Sequence, residues 1–486
     1  MRPSGTLSAK TALVVLALLP VFCLAATRRA GAQTCTHYAS PGGTGSGLSA
    51  AAPFKIANFW SVARPGATLC LLDGQYTGAA SMIIPPKYLS GTASARITVR
   101  ALNDGKATIH GQGTRTPVRL LYNNYFVLQG FNARNSATSV LSVTQSHNNI
   151  VRRVAAWDAR DGNYSVFSIT SSSHNLLEDV AGWGIGRKIF SSSQGGNYTT
   201  IRRAWGRWEG SHVVGPKMTY TLAYNNYYMV CENCIGTWSG ERMKESYTLL
   251  DYYGNPWTGS GGGTYTNYSV NQPYGVFAVD GFSEGKDRNA RSKILGSLAY
   301  VRASDRFQPN QAVLVTKLDS FELANTAVYI QAGYHASKRR FALYNLATAV
   351  GTNLVARHLT GVGGAASYFG SDWEKSYIRE GATLAAVGNV FTTTSGANLC
   401  YRYRNAALTS EPLWPWPMNQ RIKDALAQAG RAPVDVTATI QSMFGTIPSH
   451  CKSAAVASLS SEPALSSLSQ PASEVPSAPA NLVVAP

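Results

Sequence analysis

The sequence predicts an all-β solenoid, a stack of short coils, and three features point to it. Strand-like runs recur along the middle of the chain: YFVLQGFNAR (125–134), NIVRRV (149–154), NLLEDV (175–180), YTTIRRA (198–204) and YYMVCEN (227–233). A tryptophan follows four of them, at Trp157, Trp183, Trp208 and Trp238, with intervals of 26, 25 and 30 residues; Arg134 holds that slot in the first copy. The runs group β-branched and apolar residues at strand length between Gly, Asn and Ser, and no long 3.6-residue periodicity intervenes. Repeats of this kind bury their inward side chains only against the coil above and the coil below.

The elements follow in chain order. Arg2 and Lys10, the apolar run TALVVLALLPVFCLAA (11–26) and AGA at 30–32 read as a secretory signal peptide over residues 1–32, cut after Ala32. The run of about 16 residues is short of the roughly 20 a membrane span needs, and the bulky Phe22 argues against a lipid on Cys23. The expected product is secreted, with no integral membrane segment after signal removal. Residues 33–115 read as an N-terminal cap and the first coils, with a short helix, a Pro-Gly turn and a strand pair in AAPFKIANFWSVARPGATLCLLDGQYTG (51–78).

The coils proper are expected over 116–405, because fainter copies continue at 291–301, 339–350, 352–362 and 381–393. Asn149, Asn175, Asn197 and Asn226 open several repeats, at turn positions where amide side chains bond successive coils. A C-terminal cap is expected over 406–452. Its helix MNQRIKDALAQAG places Ile422, Ala425, Leu426 and Ala429 on one face, stops at Gly430, and is expected to cover the last coil. Residues 453–486, rich in Ser, Ala and Pro, read as a flexible tail.

Charge and cysteine usage narrow the setting. The 486 residues carry 43 Lys and Arg against 25 Asp and Glu, a formal net charge of +18. Removing residues 1–32 takes four cations and no acid, leaving a balance of +14. Such an excess attracts polyanions, which outside the cell means acidic polysaccharides or anionic surfaces. No nucleic-acid-binding motif is present, and a monomer is expected. Beyond Cys23 six cysteines remain, an even number that suits disulfides in an oxidising compartment and permits 15 pairings. Cys35 with Cys70 and Cys400 with Cys451 would staple the two ends. CENC (231–234) lacks the partners of a zinc or haem motif and reads as a local disulfide or two packed thiols.

The segment HYASPGGTGSGLSAAAPFKIANFWSVARPGATLCLLDGQYTG (37–78) resembles the opening of secreted right-handed parallel β-helix proteins of the pectate-lyase-like superfamily. The resemblance implies a single-stranded right-handed parallel β-helix with helical caps, over roughly residues 35–405. It does not by itself imply an activity. Many members cleave uronate polymers by β-elimination: a cation or calcium neutralises the uronate carboxylate, which acidifies the C5 proton, and a base removes it.

The site expectations join this chemistry to the repeats. GRKIF (186–190), GPKMT (215–219) and GERMK (240–244) each place a cation two residues after a glycine. Equivalent positions in stacked coils lie about 4.8 Å apart, so Lys188, Lys217 and Arg242 are expected to form a cation ladder, extended by Arg187 and Lys244 and bordered by Asp158, Asp161, Glu209 and Glu241. Lys188 and Lys217 are the leading bases, since neighbouring positive charge and burial bring an amine towards neutrality. His212 and Tyr220 are candidate proton donors, and Arg187, Arg242 and Lys244 candidate carboxylate binders. Trp183, Trp208 and Trp238 are assigned to substrate, the alternative for the tryptophans being an aromatic stack in the coil corners. WDARDG (157–162) resembles the Asp-rich calcium stretch of family 9 polysaccharide lyases, with fewer acids, so Asp158 and Asp161 are the candidate calcium ligands. The Asn-Thr-Asp, Asp-Asp and Gly-His-Gly signatures of polygalacturonases and the Asp-Pro-His-Asp of alginate epimerases are absent, and SGERMKES (239–246) only loosely resembles a family 6 lyase segment. A polysaccharide lyase is the leading expectation, followed by a non-catalytic binding β-helix and a glycoside hydrolase.

Overall fold

A computed structural model describes residues 34–453 apart from 224–225, 260–262, 266–272, 281–290, 307–308, 317, 319, 332–338, 344–352, 366–367, 370–377, 381–389 and 392–395. The expected signal peptide, the tail and most of the copy at 381–393 lie outside the described residues. The described chain is a right-handed parallel β-helix whose full coils contribute three strands each. Ile150–Arg152, Ala155–Trp157 and Ser165–Thr170 make one coil. They stack in parallel on Leu176–Glu178, Ala181–Ile185 and Lys188–Ser193 of the next.

The inward side chains form continuous rows. On the first strands Val99, Leu128, Val151, Leu177, Ile201, Cys231, Ile294 and Leu323 stand in one register. On the third strands Phe167, Phe190, Tyr220 and Phe277 stack face to face with centroids 4.8, 4.8 and 4.6 Å apart. Gly206 faces this stack: a Cβ there would lie 2.6 Å from Thr219 Cγ2 and 3.1 Å from the Tyr220 ring, so only hydrogen fits. Each such residue buries its area against two neighbours, at roughly 25 cal/mol per Å² of apolar surface.

The corners of the coils turn through the left-handed backbone region, the one after the second strand at Asn135 and Asp158, with φ of 54° and 61°. Arg153, Asp179, Arg203 and Asn233 lie between first and second strands, with φ of 52°, 51°, 48° and 51°. A third such corner precedes the first strand and carries Tyr125, Asn148, His174, Tyr198, Tyr228 and Arg291. Asparagine amides bridge the coils as expected: Phe126 N donates to Asn149 Oδ1 at 2.8 Å and Asn149 N to Asn175 Oδ1 at 3.0 Å. Asn197 and Asn226 accept from Tyr227 N and Gly196 N.

Helix α1 (Ile56–Phe59) buries Ile56 and Phe59 at the N-terminal end, where Cys35 and Cys70 are disulfide-bonded. The C-terminal segment runs elsewhere than expected. Helices α2 (Asn419–Gln428) and α3 (Val436–Phe444) share an apolar cluster with Trp157, Trp183 and Trp205, on the outer face of the second strands. Arg421 of α2 reaches back to Asp104 and donates to Asn132 Oδ1 at 2.6 Å. The segment is thus a strap along the flank of the coils, packed on the outward tryptophans. Cys400 and Cys451 are disulfide-bonded and close this strap, while Cys231 and Cys234 are buried thiols inside the coils.

Candidate active site

The turns that join second to third strands gather the polar residues. They comprise 158–164, 186–187 and 211–216 of three consecutive coils, and the much longer connection after Trp238 in the fourth. The period breaks there: Met229 bonds Ser292 of the next coil across 63 residues of sequence, against 23–30 at the earlier steps. Part of the extra chain lies against the neighbouring turns. Leu250 N donates to His212 O at 2.9 Å, Val214 N to Leu250 O at 2.8 Å and Asn163 N to Tyr252 O at 2.9 Å.

An aspartate–histidine pair sits at the centre. Asp161 Oδ2 lies 2.6 Å from His212 Nδ1, and Oδ1 accepts from His212 N at 2.9 Å and Ser211 Oγ at 2.8 Å. Burial alone would raise the Asp161 carboxyl, but the bonds and charge of His212 and the Ser211 bond outweigh it and hold the group below its ordinary value. With Nδ1 taken by the carboxylate, the ring presents Nε2. That atom is buried and has no hydrogen-bond partner among the described residues. The Tyr247 ring packs beside it, centroids 4.8 Å apart.

Arg187 ties the turns together. Its Nη1 donates to Asn163 Oδ1 at 2.8 Å and its Nε to Pro216 O at 3.0 Å, and the guanidinium lies 5.0 Å from the centroid of the Tyr252 ring. Lys188 follows it at the start of a third strand, half-buried. Burial first and the Arg187 charge second bring its amine from 10.5 down to about 7. From beneath, Trp208 Nε1 donates to Gly186 O at 2.9 Å and supports this turn.

Several sequence expectations are corrected. The cations form no ladder: Lys188 pairs with Met218 in the parallel register, Lys217 with Pro273, and Arg242 lies outside the strands. A one-residue offset sends a strand side chain to the opposite face. Lys217 is buried, and its amine donates to Val213 O and, at 2.9 Å, to Gly215 O, so it anchors the turn instead of facing substrate. Tyr220 belongs to the interior stack, where its hydroxyl donates to Ala204 O and Ile235 O at 3.0 Å, which removes it as a proton donor. Arg242 reaches the first of the joining turns, where Asp158 engages its guanidinium, and Lys244 lies on an exposed turn.

The tryptophans are no sugar platform. Trp183 is covered by the strap, while Trp208 and Trp238 stack inside the coils at 4.0 Å; all three are fully buried. The calcium expectation fails on the chemistry of its donors. Asp158 accepts from Ile185 N at 3.1 Å and from the Arg242 guanidinium, and Asp161 is filled by Ser211 and His212. Calcium needs six to eight oxygens, and these carboxylates already face protein donors. The Cys400, His450 and Cys451 cluster is no alternative metal site, since its sulfurs are joined.

Sequence reasoning missed Asn163, Tyr247 and Tyr252, and the tie between Asp161 and His212. The lengthened interval after Trp238 was the available signal, since an insertion in a solenoid lands on one face.

No family model matches the chain, and no curated protein matches it in sequence. Among solved structures it is similar to the pectate lyase Pel9A, at 13% identity and a TM-score of 0.45, covering 75% of this chain and 81% of that one. A rhamnogalacturonan lyase is 12% identical with a TM-score of 0.45, over 76% and 90% of the two chains. PfbA, a surface adhesin of Streptococcus pneumoniae, is 12% identical with a TM-score of 0.37, over 76% and 99%. At these identities and TM-scores the likeness says nothing of what this chain does.

Proposed function

We propose that the protein is a secreted polysaccharide lyase acting on an acidic, uronate-containing polysaccharide. The observation that supports this reading is that neighbouring turns carry a guanidinium at Arg187 fixed on Asn163 and a carboxylate-held imidazole at His212, with Lys188, a near-neutral amine under the Arg187 charge, next along the chain. The guanidinium supplies positive charge for a carboxylate, the imidazole can carry a proton on Nε2, and the amine can accept a proton.

The reaction assigns each a step. The neutral Lys188 amine takes the C5 proton of a uronate whose carboxylate lies in the field of Arg187. The electrons of the broken C5–H bond form the C4–C5 double bond, and the C4–O4 bond breaks. The departing oxygen leaves with a proton from His212 Nε2, a buried atom that substrate must uncover. Lys217 and Trp208 act on the turns, not on the sugar. The two disulfides suit an oxidising compartment, and the +18 charge suits a polyanion.

The test is to incubate the protein with a panel of uronate polymers, with and without chelator, and follow the ultraviolet absorbance of the unsaturated product. Product formation that survives chelation is expected, because Asp161 is bonded through both oxygens and Asp158 is engaged by Ile185 N and the Arg242 guanidinium. Binding with no product on any polymer would overturn the reading in favour of a non-catalytic β-helix.

A further inference from the structure

The left-handed corner ahead of the first strands has no part in this site. Its residues are equivalent rungs: Tyr125 N bonds His147 O, Asn148 N bonds Ser173 O, His174 N bonds Asn197 O and Tyr198 N bonds Tyr227 O, at 3.0–3.1 Å. Tyr125, Asn148, His174, Tyr198, Tyr228 and Arg291 therefore line up along the solenoid, with φ between 51° and 58°. Glycine and asparagine adopt this backbone at least cost, and bulky side chains are uncommon there. Asn148 alone follows that preference.

The left-handed corner between first and second strands shows what would explain bulky residues. There Arg203 pairs with Asp179, Arg153 with Asp104, and Asn233 accepts from Tyr403 N of the strap. Along the tyrosine and histidine corner Tyr228 packs against the cluster that includes Tyr403 of the strap, while His174 is exposed. Its rings stack along the axis: His174 on Tyr198 at 4.8 Å and Tyr198 on Tyr228 at 5.5 Å. A second row at the same corner, three residues earlier in each coil, holds Tyr122 against Tyr88, 74% exposed, at 5.1 Å and passes on to Gln145 and Ser171.

Cations accompany the rings. Lys87 lies 5.5 Å from the Tyr122 centroid, Arg96 5.5 Å from Tyr125 and Arg291 5.9 Å from Tyr227. The corner segments 86–90, 121–125, 145–149, 171–175, 194–198 and 226–228 contain no Asp or Glu. Rungs about 4.8 Å apart make a straight strip at the far ends of the third strands, whose near ends carry Lys188.

We propose that this corner binds an acidic polysaccharide chain lengthwise, as a second surface apart from the Lys188–His212 turns. The ring edges pack against the sugars, and the exposed Lys87 and Arg291 meet the carboxylates; a neutral glycan lacks the second contact. The surface retains a polymer without cleaving it, so the proposal does not rest on the lyase chemistry.

Affinity electrophoresis of the intact protein in native gels containing polygalacturonate or alginate tests it, with dextran and a DNA oligonucleotide as comparisons. The acidic glycans are expected to retard the wild type, weakening with salt. His174→Ala/Tyr198→Ala and, separately, Lys87→Glu/Arg291→Glu are expected to weaken retardation at least about tenfold. The second pair lies on exposed side chains and decides the matter if the first fails to fold. Unchanged retardation of Lys87→Glu/Arg291→Glu, no retardation by either acidic glycan, or equal retardation by dextran or DNA would each overturn the proposal. Retardation without product formation would leave it standing and sink the cleavage reading alone.

Discussion

Lys188 owes its chemistry to position. Burial disfavours the ammonium and Arg187 adds repulsion, so the amine loses its proton near pH 7. A base works when deprotonated, so the rising limb of turnover against pH is expected to lie near 7. Replacing Arg187 with Met removes the smaller of the two causes and should move that rise to higher pH. A pH–rate profile of the two proteins checks both statements, and a profile flat from pH 5 to 9 contradicts them. Lys217 shows why residue type alone could not make this assignment. It shares the glycine-x-cation setting of Lys188, yet stands one residue out of step and spends its amine on two backbone carbonyls.

At the scale of elements, the strand periodicity was legible and the facing of individual side chains was not. Trp157 and Trp183, 26 residues apart, are true register partners, stacked at 4.8 Å on the outer face. Trp208 follows after 25 and stands opposite Gly184, not Trp183, so it points inward. One residue gained or lost in a turn leaves the repeat recognisable while reversing the face, because strand side chains alternate. The Arg152–Arg153 and Arg202–Arg203 pairs show the same limit, since two adjacent arginines do not reveal which of them faces solvent. Arg152, Glu178, Arg202 and Glu232 form an alternating ladder, with Glu178 at 2.6 Å from Arg152 and 3.0 Å from Arg202. Burial works against the Glu178 carboxylate, but Arg203, Arg152 and Arg202 outweigh it and hold its pKa well below 4.5. A depressed carboxyl stabilises the fold above its ordinary pKa, and that contribution fades as pH falls towards the folded value. Glu178→Gln leaves three guanidiniums short of an anion and should cost about 3 kcal/mol at pH 7 in chemical denaturation, with a smaller difference at pH 3. A neutral effect at pH 7 would show that the arginines re-pair.

For the molecule as a whole, the C-terminal strap converts an open stack into a braced one. It covers Trp157, Trp183 and Trp205, and its hairpin places Asn405 and Ala406 N on Glu232. The Cys400–Cys451 disulfide closes a span of 51 residues, which chain entropy values at about 4 kcal/mol. Cys400→Ser/Cys451→Ser is expected to loosen the strap before the coils, seen as earlier exposure of tryptophan fluorescence on heating. Simultaneous melting of strap and coils at the wild-type temperature would contradict that order. The helix itself was legible from its periodicity, and its docking place was not, since the outward tryptophans that receive it lie more than 200 residues earlier in the chain.

Initial rates of unsaturated uronate formation by the wild type and by Lys188→Ala, measured on a polymer that both proteins bind, test the assignment of function most directly. A proton-abstracting base contributes roughly 10²–10⁴-fold, so Lys188→Ala should lose about a thousandfold in rate with polymer binding retained. Equal rates in the two proteins, or no product from the wild type on any polymer it binds, would contradict it.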